Sequence, residues 1–459
     1  MKVFIYLLIL LSLCSGFFIK YPFGNKFTIR DKEINKKLNY VLPPEKQSII
    51  NKINGTYALI GPDVNIKNIS TIIDLFMGDG NIQSVFFNNG ELTFDKHFIR
   101  TEKIIYEEEN SKLPDIMMLK VLFDLLYNIK LFPNIMGVAN TALIRIKNQL
   151  YALYERDTPY LLDLNLLKTK IATLHKIKIP NMRTFSAHSK YNKTIETIDY
   201  DILSYKVYYH QLTEEFNSIK NKMINTKYMP VIHDFIKTEN SVIIMDSPLV
   251  IDIPNLFKNP LPIMLDNTKK TIINVLNTTT MNIEKYFYNE GFYIFHYADW
   301  RETNNTIEIY ASMYDKLDFS QLDISGKYRK MILNKENKNV MILKNPELEK
   351  LDMEFPVKFD DKIVFRSMVN KRITGFVICK DLDIIKKLDL SDKFISGEPA
   401  IVYIDKTPHL IAFTFDDKIE NQGFVIVINM NTYEIIEIPL NESINIGFHS
   451  IFINNETNL

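Results

Sequence analysis

Four of the eight histidines share one local setting. They are Phe185-Ser186-Ala187-His188, Val231-Ile232-His233-Asp234, Ile294-Phe295-His296 and Gly447-Phe448-His449, each in or beside a short apolar run. A neutral imidazole is a ligand for iron, zinc, copper or nickel, so four of them could hold a metal if the fold brought them together. Separations of 45, 63 and 153 residues carry no local metal signature of the HExxH kind, and by spacing alone each histidine reads more readily as a satisfied core residue than as a ligand. Cysteine chemistry is nearly absent. With Cys14 and Cys379 alone there is no CxxC motif, and if the amino-terminal segment is removed no intramolecular disulfide can form. Lys+Arg and Asp+Glu are both 55, which argues against a nucleic-acid-binding surface built on cationic excess.

The elements that must position these groups read as short strands. Ser84-Val85-Phe86-Phe87, Leu143-Ile144-Arg145-Ile146, Ser241-Val242-Ile243-Ile244-Met245, Thr306-Ile307-Glu308-Ile309-Tyr310 and Phe424-Val425-Ile426-Val427-Ile428 are examples, separated by turns such as Asn88-Asn89-Gly90 and Asn429-Met430-Asn431. Many short strands at near-even spacing predict a sandwich, barrel or propeller. No strict repeat is visible, although residues 142–164 and 423–439 share a strand-turn-strand grammar. Glycine is scarce at 14 and asparagine abundant at 44, which points to Asn at left-handed turn positions. Two stretches depart from this pattern. Residues 113–136 show helical spacing of Leu and Met, and residues 250–265 are apolar and proline-rich; each is core packing, or a lid or membrane-contact patch.

At the amino terminus, Met1-Lys2, the apolar run Val3 to Leu13 and Cys14-Ser15-Gly16 read as a secretory signal peptide over residues 1–16, or as an uncleaved anchor, since Phe17, Phe18 and Ile19 prolong it. Seven N-x-S/T sequons, at Asn54, Asn68, Asn192, Asn277, Asn304, Asn441 and Asn455, fit a secreted or lumenal chain, although about four or five are expected by chance. Residues 17–459 are then expected to form one domain.

Several motifs occur in a set order. Met77-Gly78-Asp79-Gly80 is followed by Phe86-Phe87-Asn88-Asn89-Gly90, Phe98-Ile99-Arg100-Thr101-Glu102, Ala139-Asn140-Thr141-Ala142-Leu143 and Leu153-Tyr154-Glu155. The four histidine segments continue it, with Pro248-Leu249-Val250, Glu354-Phe355-Pro356 and Gly397-Glu398-Pro399 among them. This series resembles the carotenoid cleavage oxygenases over residues 54–453. The resemblance implies a seven-bladed β-propeller, with a helix and loop cap near residues 110–136 and 250–265, and one Fe(II) on the axis. It implies His188, His233, His296 and His449 as ligands. Glu155, Glu354 and Glu398 would accept the far ring N–H of three of them, leaving His188 without a carboxylate. Four neutral imidazoles leave two cis positions of an octahedron for O₂ and substrate, and the carboxylates fix tautomer and basicity. Tyr154, Phe185, Phe295 and Phe448 flank these residues and would line a dry polyene tunnel or crowd the O₂ position, or else pack in the core.

The implied reaction is O₂-dependent cleavage of a conjugated C=C bond in a carotenoid or apocarotenoid, giving carbonyl products, retinal among them. Access would run through an apolar patch against a membrane surface, with no obligate protein partner. The sequence departs from the family pattern at Met77, where an acidic residue is usual, at Ser189, where proline is usual, and at Asp299 and Arg301 after the third histidine. None of these removes a ligand. Stilbenoid cleavage and retinoid isomerisation remain alternatives on the same scaffold. A non-catalytic carrier and a zinc hydrolase are alternatives of another class.

Overall fold

The computed structural model describes residues 33–455 apart from 65–68, 70, 110–135, 203, 252–262, 320, 323–324, 370–371 and 417–421. The proposed signal segment and nearly all of the 113–136 stretch therefore lie outside the described residues. Within them the strands form seven antiparallel sheets around a central axis, a seven-bladed propeller. Blades two to seven are up-and-down four-stranded sheets over residues 142–176, 190–225, 236–288, 293–343, 353–389 and 394–439. Blade one is composite. Gly55–Asp63, Asp79–Asn88, Glu91–Phe98 and Ile34–Lys37 form its outer part, and Ser450–Asn454 adds as its innermost strand. That strand pairs antiparallel with Gly55–Asp63 in the register Gly55↔Asn454 to Leu59↔Ser450, which closes the ring. The ends of residues 250–265 pair as a two-stranded ribbon, Leu249–Ile251 with Ile263–Leu265, between two strands of blade four.

Why the strands read as continuous apolar runs rather than alternating ones is now clear. Each blade is covered on both faces by its neighbours, so inner strands bury both sets of side chains. In Ser241–Asp246 all six residues are buried. The seam between blades seven and one is filled by Tyr57, Leu59, Val85, Phe87, Ile411, Phe413, Val425 and Val427. Equivalent apolar layers fill the other gaps.

The expectation for asparagine needs correction. Left-handed non-glycine positions are mostly not Asn; Lys147, Thr169, Lys193, Met281, Lys338, Asp360 and Tyr433 are among them. Asn works instead through its side chain. Asn165, Asn277, Asn334 and Asn429 each end the third strand of a blade, and each Oδ1 accepts backbone N–H groups two or three residues on, at 2.8–3.1 Å. The fourth residue after each, Thr169, Met281, Lys338 and Tyr433, has φ between 47° and 62°. This is one turn used four times, an Asx-type cap followed by a left-handed residue. It is the blade repeat that identity along the sequence conceals.

Helices are few. Pro44–Asn51 starts on proline and packs below blade one. Ile72–Phe76 is fixed by a capping box, in which Thr71 and Asp74 exchange side-chain and backbone hydrogen bonds. Glu102–Glu109 carries Lys103, whose ammonium is fully buried 2.8 Å from Asp79 Oδ1 and 3.7 Å from Glu107. Asp79, the acid of the Gly78-Asp79-Gly80 motif, is thus part of a buried ion cluster that pins helix to blade. Removing one partner of such a pair strands the other charge in a low dielectric. Lys103→Met should therefore cost about 3–5 kcal/mol, read as a thermal unfolding midpoint several degrees lower. An unchanged midpoint would show that Asp79 is satisfied without the ammonium.

Candidate metal centre

Going round the ring, every blade brings one polar side chain to the axis: His449, Glu155, His188, His233, His296, Glu354 and Glu398, from blades one to seven in that order. Local backbone explains how. His188, His233 and His449 lie in the turns just before the innermost strands Lys190–Asn192, Ile236–Lys237 and Ser450–Asn454, and Glu155 lies in the turn after Gln149–Leu153. The other three lie within innermost strands whose register is broken. Blade five slips between Ile294 and Tyr297, blade six between Glu354 and Val357, and blade seven between Ser396 and Ala400. A bulge re-aims the side chain it carries, here toward the axis. At blade seven the bend needs glycine: Gly397 has φ 78°, and a Cβ there would meet Leu59 at 2.6 Å.

The imidazoles converge. His188 Nε2 lies 3.0 Å from His233 Nε2, His233 Nε2 3.1 Å from His296 Nε2, and His296 Nε2 3.1 Å from His449 Nε2. All four nitrogens fall within 4.8 Å of one another. Behind them, His233 Nδ1 is 2.6 Å from Glu155, His296 Nδ1 2.6 Å from Glu354 and His449 Nδ1 3.3 Å from Glu398. The carboxylates are themselves held. Glu354 accepts from the Tyr314 hydroxyl at 2.5 Å and from the Phe355 N–H at 2.9 Å, Glu398 from the Ser450 N–H at 3.0 Å, and Glu155 from the Thr141 hydroxyl at 3.4 Å. Among the described residues no carboxylate reaches His188. Its loop is tied by Ser189, which donates to the Ser186 carbonyl and bonds Thr197, both at 2.8 Å, at the position where proline is usual in the family.

These partners assign the tautomers. A carboxylate at Nδ1 takes that nitrogen's proton as donor, so Nε2 presents a lone pair. Burial and the neighbouring imidazoles hold His188 and His296 well below the usual imidazole range, so both are neutral donors. Burial also acts against charge on His233, but Glu155 outweighs it and raises His233, while His233 lowers Glu155 against its own burial. Burial pushes Glu354 up to about 7. Converging lone pairs at 3 Å repel unless a cation lies among them, and the set fits one. Two cis donors at a metal–imidazole bond of about 2.1 Å stand roughly 3.0 Å apart, whereas tetrahedral donors stand roughly 3.4 Å apart. The three adjacent Nε2–Nε2 distances of 3.0–3.1 Å lie near the former, so the donor set fits a single cation.

A cavity of about 370 Å³ opens onto His233, His296 and His449. Its wall is largely apolar. Ile72, Leu75 and Phe76 of the short helix, together with Phe295, Phe355, Ile373, Phe394 and Phe448, supply much of it, and Leu322, 45% exposed, stands where it reaches the surface. Phe355 stacks against both His296 and His449, with centroids 5.0 and 5.1 Å away. Of the four flanking aromatics expected to line a tunnel, Phe295 and Phe448 do so. Phe185 does not belong to this wall. It is 1% exposed and packs at a tilt against Phe216 in the layer between blades two and three. Tyr154, half-buried in the turn that presents Glu155, is likewise not among the residues lining this cavity. Sequence reasoning missed Phe76, Thr141, Tyr314, Phe355 and Arg366. Phe76, Thr141 and Phe355 stand inside or beside quoted motifs, and the other two carry no signal.

The model of the retinal pigment epithelial membrane protein (RPE65) family matches residues 48–454. The chain belongs to the carotenoid cleavage oxygenase family. Among its relatives, carotenoid 9,10(9',10')-cleavage dioxygenase 1 of Phaseolus vulgaris is 25% identical over 489 aligned positions, covering 90% of this chain and 86% of that one. Resveratrol cleavage oxygenase 1 of Aspergillus fumigatus is 26% identical over 222 positions, 44% of this chain and 41% of its own length. The fold matches that of the cobalt-substituted Synechocystis apocarotenoid oxygenase, with a TM-score of 0.75, 17% identity, and coverage of 94% and 98% of the two chains. The carboxylates behind three of the imidazoles give a direct test. Glu354→Gln should lower Fe(II) affinity about 10- to 100-fold, measured by metal titration against a competing chelator. Affinity equal to that of the parent would make Glu354 a structural residue only.

Proposed function

We propose that this protein is an Fe(II)-dependent oxygenase that cleaves a conjugated C=C bond of a carotenoid or apocarotenoid with O₂, giving two carbonyl products, with retinal as a product. The observation that carries this reading is the four-imidazole set, three members backed by carboxylates, at the end of an apolar cavity. His188, His233, His296 and His449 would hold the ion, which supplies O₂ binding and activation. The chain's own part is positioning. Glu155, Glu354 and Glu398 keep Nδ1 protonated and Nε2 free to donate. Phe76, Phe295 and Phe448 present ring faces and edges to a polyene and exclude water from the reacting bond.

A secretory location rests on residues 1–16, and access from a membrane surface on the exposed apolar side chain of Leu322 at the cavity's edge. The sequons at Asn192 and Asn304 sit on exposed hairpin turns, as acceptors require. A second reading, stilbenoid cleavage, is favoured by polar groups in the cavity wall, Tyr314, Arg366 and Thr141, which could read phenolic oxygens.

Product analysis separates these. The Fe(II)-loaded protein, incubated in air with β-carotene, an apocarotenal and a stilbene, should release aldehydes from a polyene. Retinal from β-carotene marks central cleavage, and a longer apocarotenal marks eccentric cleavage. Products from the stilbene alone would move the substrate class, and a geometric isomer without cleavage would point to isomerisation. His449→Ala should abolish both turnover and stoichiometric iron; an active His449→Ala protein would sink the proposal.

A further inference from the structure

One charged group in the cavity wall, Arg366, feels the charges of Glu354 and Glu398 but forms no hydrogen bond or salt bridge with either among the described residues. Arg366 lies on the second strand of blade six, Lys362–Val369, opposite Glu354 in the ladder. Its guanidinium stacks over Phe355, 4.2 Å from the ring centroid, and Phe355 in turn stacks on His296 and His449. Arg366 therefore stands one aromatic ring away from the converging imidazoles. Its hydrogen bonding is meagre. Nη1 donates to the Ile395 carbonyl at a long 3.4 Å, and among the described residues the guanidinium forms no salt bridge. A guanidinium carries five N–H donors, and those of Arg366 not bonded to Ile395 are not fully enclosed by protein atoms, which leaves them open to a ligand in the cavity. Three other polar wall residues are engaged: Tyr314 with Glu354, Thr141 with Glu155, and Asp352 with Lys327 at 2.6 Å.

The charge balance narrows what Arg366 can take. Three carboxylates and one guanidinium sum to a formal charge of minus two, which a divalent cation on the imidazoles cancels. A neutral acceptor leaves that balance intact, whereas a carboxylate adds an anion beside Glu354 and Glu398.

We propose that Arg366 is a specificity-determining residue that donates hydrogen bonds to a neutral carbonyl or hydroxyl oxygen at the end of the polyene. The chain then prefers an end-oxygenated apocarotenoid to a hydrocarbon carotene. This inference rests on the polyene-cleavage reading above and deepens it by naming the substrate class.

The test is equilibrium binding to the full, metal-loaded chain by quenching of intrinsic fluorescence. The probes are retinal, retinoic acid and the matching hydrocarbon that ends in a methyl group. The parent should bind retinal about tenfold or more tightly than the hydrocarbon, as a hydrogen bond from a charged donor warrants, and retinoic acid no more tightly than retinal. Arg366→Met should lose that preference, keep its affinity for the hydrocarbon and keep its metal content; Arg366→Lys should recover part of the preference. A parent without preference, tighter binding of the acid, or an Arg366→Met protein weakened equally toward all three would overturn the proposal. So would loss of metal in Arg366→Met, which would make the guanidinium a support for the carboxylates. Preferential binding without cleavage would overturn the oxygenase reading and leave this one standing, and failure of the parent to bind any polyene would overturn both.

Discussion

Four imidazole nitrogens aimed at one point are an unfavourable arrangement for a protein by itself. Each lone pair faces another at about van der Waals distance in a largely buried site, so the arrangement makes sense as a cradle for a cation. Everything around the axis serves to maintain it. The bulges in blades five, six and seven turn His296, Glu354 and Glu398 inward. The three carboxylates hold the protons on the far side of the rings, and Tyr314, Thr141 and two backbone N–H groups hold the carboxylates. Rigidity is delegated outward in layers, from imidazole to carboxylate to strand to blade.

A propeller suits this task because its strands fan outward from an axis and their inner ends crowd together. Seven blades offer seven inner positions, and this chain uses all of them for the centre, four as nitrogen donors and three as carboxylates. No blade is spare. The price of that economy is that the site depends on contacts between blades, which here are apolar layers of Phe, Tyr, Ile and Val side chains.

Much of this was legible in the sequence, and for identifiable reasons. The strands were readable because inner-blade segments are apolar on both faces, and the histidines because each follows a short motif in a fixed order. By spacing alone His188 and His449 were unremarkable; their convergence is a property of ring topology, which period-two patterns do not encode. The Asn turns were present in the sequence at Asn165, Asn277, Asn334 and Asn429 but unevenly spaced, since insertions between strands differ from blade to blade. Phe185 illustrates the opposite failure. Proximity to a histidine along the chain suggested the cavity, but Phe185 lies in the loop before Lys190–Asn192 and its side chain packs into the layer shared with Phe216. Arg366 and Tyr314 come from second strands, whose inward reach depends on how far the first strand bulges, and no local pattern announces that.

The seam in blade one couples these facts. Ser450–Asn454, the strand that latches onto Gly55–Asp63, directly follows His449, so the ligand from blade one arrives together with the latch. On a growing polypeptide the other three histidines emerge long before it. The complete donor set thus exists only after the last blade strand has docked, and any free energy gained by holding a cation also opposes the opening of the ring. Metal occupancy becomes a chemical record that assembly has finished.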